Sequence, residues 1–169
     1  MPLNLLKEYN QLLDITALNE QKRTESLKGI FNRDIRGNVA FSFHNKPVFP
    51  TPKENGEIAM ENLFNHLTRK KNDKELRNRE FDFDRSVRLH WIKYHIEEQK
   101  QENMFCFSVK EPDGIRTYIY DKDEKYVIVL EPLRDNTAYY LLTAYPLMGK
   151  DAARNKMKKK HKRRLTDVV

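Results

Sequence analysis

Apolar and polar positions along this chain follow two rhythms, helical before about residue 100 and strand-like after it. Leu3, Leu5, Leu6, Tyr9, Leu12 and Leu13 recur at helical spacing behind Asn4, a capping residue type, and Glu20 to Phe31 repeats the pattern with more charge before Gly37. Together they predict paired amphipathic helices. Asn38 to Phe43 alternates over a short strand. Pro47, Pro50 and Pro52 should then break regular structure, because proline donates no amide hydrogen. Ile58, Met60, Leu63, Phe64 and Leu67 predict another helix, and the charged run 69–80 reads as a solvated connector. Asp84 is placed to cap a helix over Arg85–Gln101 that turns Val87, Trp91 and Ile96 inward and leaves Arg88, His90 and Tyr94 outward.

From Met104 the period becomes two. Met104–Val109, Ile115–Asp121, Tyr126–Glu131 and Thr137–Leu147 read as strands, joined by EPDG, DKDEK and LRDN. Links this short predict an antiparallel meander. The expected fold is α+β, with N-terminal helices followed by a four-stranded antiparallel sheet; the Arg85 helix covers one face and the other stays open. Four stretches are distinguished: a helical segment 1–37; a strand, proline-rich loop and helix over 38–83; a helix-plus-sheet core 84–147; and a basic tail 148–169.

Charge sharpens this division. The net charge is +7, and residues 148–169 hold nine Lys or Arg against Asp151 and Asp167, so the remainder is neutral with 23 basic and 23 acidic side chains. A block of this kind is an electrostatic footprint for nucleic acid or another anionic surface. Cys106 is the only cysteine, which rules out an internal disulfide and a thiolate zinc cluster and suits a reducing cytoplasm. No stretch approaches the ~18 apolar residues of a membrane span, and no phosphate-binding glycine loop, zinc-protease, nucleophile-elbow or calcium-loop motif occurs.

The remaining chemistry lies on the face expected to be open. Arg116, Tyr118 and Tyr120 alternate on one strand, Glu131 lies on the next, and Thr143 and Tyr145 close the last. Arginine can hold a phosphodiester and its developing charge, hydroxyls can donate to it, and His90 is the histidine placed to approach from the helix as acid or base. Such a face is also what an ordinary solvated sheet presents, since strands favour tyrosine. His95 reads as core, Trp91 as packing and Cys106 as a half-buried strand residue. The phenols could equally stack on bases without any cleavage.

The order RSVRLHWIKYHI, RTYIY, KYVIVLEPL, YYLLTAYPL and a basic end resembles nucleases of the barnase, EndoU, colicin and RelE-like superfamily over residues 84–160. Arg85, Arg88, Trp91 and Ile92 carry the resemblance on the helix, and Tyr139, Leu141, Thr143, Ala144 and Tyr145 carry it on the closing strand. The resemblance implies a barnase/RelE-like fold and metal-independent, cofactor-free endoribonuclease activity as a toxin or effector of a phage or mobile element. RNA would be the partner, with a cognate inhibitor or immunity protein as a second. Catalysis would fall to His90, Arg116, Tyr120, Glu131, Thr143 and Tyr145. RNA binding would fall to Arg88, Tyr118, Lys156, Lys158, Lys159, Lys160, Lys162, Arg163 and Arg164. The late-strand histidine of barnase-type members is absent, with Tyr145 in its region. The alternative reading is a non-catalytic nucleic-acid-binding or regulatory protein.

Overall fold

The computed structural model describes residues 2–52, 56–72, 75–150 and 156–169. A single helical turn, α1 (Pro2–Leu5), precedes α2 (Glu20–Phe31), whose first turn is capped by the Asn19 side chain accepting from the Lys22 amide at 2.9 Å; α2 runs on into a π-helical turn, Asn32–Arg36. Two short strands follow, β1 (Ser42–Phe43) and β2 (Lys46–Pro50), then α3 (Gly56–Thr68), the hairpin β3 (Arg69–Asn72) and β4 (Glu75–Phe81), and the short helices α4 (Phe83–Ser86) and α5 (Trp91–Ile96). Strands β5 (Met104–Glu111), β6 (Gly114–Asp121), β7 (Tyr126–Pro132) and β8 (Tyr139–Pro146) then form the meander, and α6 (Lys156–Lys162) lies in the basic tail.

The fold is α+β, but the expected four-stranded antiparallel sheet after N-terminal helices is overturned. The sheet has six strands in the order β1-β2-β8-β7-β6-β5, and β2 runs parallel to β8 with Val48 opposite Tyr139. The prolines misled: Pro47 and Pro50 flank Val48 and Phe49, whose amides survive, and the Val48 amide donates to the Phe41 carbonyl at 3.0 Å. The connector expected over 69–80 is the separate β3–β4 hairpin, with residues 73 and 74 outside those described.

The expected first helix over Leu3–Leu13 stops after one turn because tertiary bonds take its backbone. Asn4 is buried, donates to the Asp14 carbonyl and the Ser26 hydroxyl, and accepts from the Asp14 amide. The His90 and Trp91 rings donate to the Glu8 and Gln11 carbonyls. The predicted Arg85–Gln101 helix is likewise divided. Val87, Leu89, His90, Trp91 and Ile92 are all buried, more of the circumference than one amphipathic face can hide, and bonds of the i→i+3 type tighten the chain between α4 and α5. Its cap is Asp82, which accepts from the Arg85 amide, rather than Asp84.

Each sheet face carries its own apolar cluster. On one side Ile119, Ile128, Leu130, Tyr139, Leu141 and Ala144 pack with Ile30, Leu67, Trp91 and Ile92 of the helical layer. On the other, Phe107, Val109, Tyr118, Tyr120, Val127 and Val129 pack with Leu147 and with Met157 of α6. The second face is therefore not open: the basic tail folds onto it. A register shift opposite Val129/Leu130 puts Leu141 and Ala144 on one face and Leu142 and Tyr145 on the other, so the simple alternation read across β8 does not hold.

Candidate nucleic-acid interface

The residues proposed for catalysis are distributed over both sides of the sheet. Arg116 and Glu131 face each other at one end of β6 and β7 and pair, Nη1 to Oε2, at 3.5 Å. Tyr120 lies four residues further along β6, roughly 13 Å at strand rise, opposite Val127, which in turn faces Tyr145. Thr143 accepts from Arg85 Nη1 at 3.1 Å, and that guanidinium also lies 5.4 Å from the Tyr145 ring centre and pairs with Asp82. His90 belongs to the opposite, helical layer. Its Nε2–H donates to the Glu8 carbonyl at 2.9 Å and burial lowers its pKa, so the ring is a neutral clamp on the N-terminal segment. Arg88 stays in that layer too, bonded to the Asp84 carbonyl and stacked over Trp91.

Of the residues proposed for RNA binding, Tyr118 and two tail cations are occupied by Glu111. Its carboxylate accepts from the Tyr118 phenol at 3.0 Å and from Lys160 at 2.6 Å, with Arg163 at 3.9 Å. The Lys160 bond, ahead of that from Tyr118, holds the Glu111 carboxyl below the usual range. Beyond α6 the chain crosses the β5 edge, where the Leu165 amide donates to the Ser108 carbonyl and Thr117 donates to the Val169 carbonyl. Lys156, Lys158, Lys159, Lys162, Arg163 and Arg164 remain exposed.

A sharper concentration of charge forms at the β6–β7 turn. Asp121 is fully buried and its carboxylate is saturated: the Tyr9 phenol donates to Oδ2, Lys100 and the amides of Asp123 and Glu124 donate to Oδ1, and His95 Nε2 lies 3.1 Å from Oδ2. Against the cost of burial, His95, Tyr9, the Glu124 amide and Lys100 hold its carboxyl far below the usual range. Lys100 also takes Asp123 at 3.0 Å, and Asn103 donates to the same carboxylate. Two of the turn's carboxylates are thus drawn to one side. Its lysines, Lys122 and Lys125, are left exposed and in no ion pair among the described residues.

Those lysines border a cavity of about 430 Å³ between the turn and α6. Phe105, Tyr120 and Met157 give it an apolar floor, and Lys122, Lys125, Lys158 and His161 form its rim, with no carboxylate among the described lining residues. Phe105 and Tyr120 lie nearly parallel with centroids 6.4 Å apart, His161 packs 4.9 Å from Phe105, and Lys122 Nζ is 5.9 Å from the same ring. Burial, then Arg164, lowers the His161 pKa, which keeps the imidazole neutral at pH 7. An aromatic floor with a cationic rim matches the two chemical halves of a nucleotide, a stacking base and an anionic phosphate.

Sequence reasoning reached Tyr120 and Lys158 but missed Phe105, Lys122, Lys125 and His161. The available signal was the alternation of lysine and carboxylate in DKDEK, which sums to near neutrality in sequence and separates only when Lys100 gathers Asp121 and Asp123. Cys106 lines a different cavity, of about 260 Å³, with His95 and Glu98; burial and then Glu98 push the thiol up to about 12, so it stays protonated. Among the described residues, no cluster of three or more His, Cys, Asp or Glu side chains is arranged to hold a metal ion, and no helix is long and apolar enough to cross a membrane. No family model, curated protein or solved structure matches the chain.

Proposed function

We propose that the protein binds single-stranded nucleic acid through the cavity between the β6–β7 turn and α6, as a binding or regulatory protein. The carrying observation is the trio Lys122, Lys125 and Lys158, free of carboxylate partners among the described residues, around the Phe105 and Tyr120 rings. A base can stack against Phe105, a contact that every base offers, while the lysines neutralise backbone phosphate. The exposed tail cations extend the positive field from the rim. Binding without cleavage fits the geometry better than ribonuclease chemistry, which needs acid, base and phosphate-binding groups around one point. Arg116 and Glu131 satisfy each other, Arg85 engages Thr143, and His90 lies across the sheet.

The test is fluorescence anisotropy with single-stranded and duplex oligonucleotides over a salt series. Single strands should bind more tightly. The combined variant Lys122→Ala, Lys125→Gly, Lys158→Ala should lower affinity by about tenfold or more and flatten the salt slope by ~2. Glycine suits position 125, where lysine has φ 53°, so the variant removes charge while easing the turn. Arg116→Ala with Thr143→Ala should leave binding unchanged. Total RNA incubated with the protein in excess EDTA should stay intact. Discrete fragments there would replace this reading with an endoribonuclease, and duplex binding as tight as single-strand binding would refute it.

A further inference from the structure

The cavity is the size of a site for one residue of a strand rather than a groove along it. At about 430 Å³ it sits near the lower end of the ~300–1,000 Å³ range of small-molecule sites. The turn bounds it on one side and Met157 of α6, itself almost wholly buried, helps to floor it. The charge is dense for an internal link. Each internal phosphodiester brings one negative charge, whereas three lysines share this rim with no acid among the described lining residues to balance them. A phosphomonoester carries about −1.5 to −2 near neutral pH, and together with the adjoining diester it approaches the rim's charge.

Resting on the binding reading above, we infer that the pocket takes the phosphorylated end of a single strand, with the terminal base against Phe105 and the terminal phosphate among Lys122, Lys125 and Lys158. The aromatic floor contributes regardless of base identity, so recognition would fall on the end and not on the sequence. Lys158 comes from the tail and the other two lysines from the turn, so a docked α6 is a condition for the site to be complete.

The experiment compares one oligonucleotide sequence in three forms: 5′-phosphorylated, 3′-phosphorylated, and hydroxyl at both ends. One phosphorylated form should bind about tenfold tighter than the hydroxyl form, and which form does so identifies the end that enters. The preference should vanish in the Lys122→Ala, Lys125→Gly, Lys158→Ala variant. It should survive in Phe105→Leu, where all three forms weaken together. Equal binding of the three forms would overturn the inference while leaving single-strand binding in place; no binding of any form would remove both.

Discussion

Replacing Asp121 with alanine is expected to destabilise the protein by about 3–5 kcal/mol, the range for breaking a buried charged network by removing one partner. The carboxylate is inaccessible and accepts from a phenol, an ammonium and two turn amides, with an imidazole at 3.1 Å. Without it the Tyr9 hydroxyl and the two amides lose their acceptor, and each unsatisfied buried donor costs about 1–3 kcal/mol. Lys100 keeps Asp123 and the Glu102 carbonyl, so it is not left as an isolated charge. Tyr9 also stacks on Tyr94 at 4.5 Å and meets the rings of Trp91 and His95 edge-on. The loss therefore reaches the irregular N-terminal segment as well as the turn.

The same network sets an acid limb. The folded carboxyl of Asp121 titrates below its unfolded value of about 3.9, because its partners favour the charged form. Its contribution is complete above the unfolded value and is lost as pH falls from about 5 toward the folded value. Urea unfolding of the native protein and Asp121→Asn at pH 7, 4.5 and 3 should show a stability gap that narrows as pH falls. A gap constant across that range would mean that the carboxylate's charge is not what the network uses.

The legible part of this fold was the part with local causes. Strands β5 to β8 announce themselves by a period of two and by links of a few residues, and the structure joins them as a meander. At the β5–β6 link, Gly114 adopts φ +123°, a conformation open chiefly to glycine. The parts that escaped have non-local causes. Strand β2 exists because β8 offers an edge to Val48 and Phe49, and nothing near Pro47 or Pro50 carries that information. The N-terminal helix ends early because Asn4, His90 and Trp91 reach it from afar or reach away from it. The site escaped for the same reason: Lys122 and Lys125 look neutralised until Lys100, some twenty residues back, takes Asp121 and Asp123 to its own side. The tail was read as charge alone, and Met157, the buried apolar residue of α6, was overlooked.

That residue sets the second large expectation: Met157→Asp should detach α6. In KMKKKHK, Met157 alone among the residues of α6 is buried, and it packs into the cluster of Phe107, Tyr118, Val127 and Leu147. Burying a methionine side chain contributes about 1.5–3 kcal/mol, and a carboxylate in its place must either be desolvated or leave the face. A seven-residue helix does not persist alone, so release should also unfold it and expose an apolar sheet surface. Hydrogen exchange across 156–169 should quicken, dye binding to exposed apolar surface should rise, and the melting temperature should fall by about 4–10 °C. Affinity for single strands should fall as well, because Lys158 and His161 leave the rim. Lys159→Asp changes net charge by more, at an exposed position of the same helix, and should do none of this to exchange or melting. If instead the two variants weaken binding equally and leave exchange alone, the tail acts by charge and not by docking. If Met157→Asp loosens the helix while binding is retained, Phe105, Lys122 and Lys125 suffice and α6 is a cover for the sheet rather than a wall of the site.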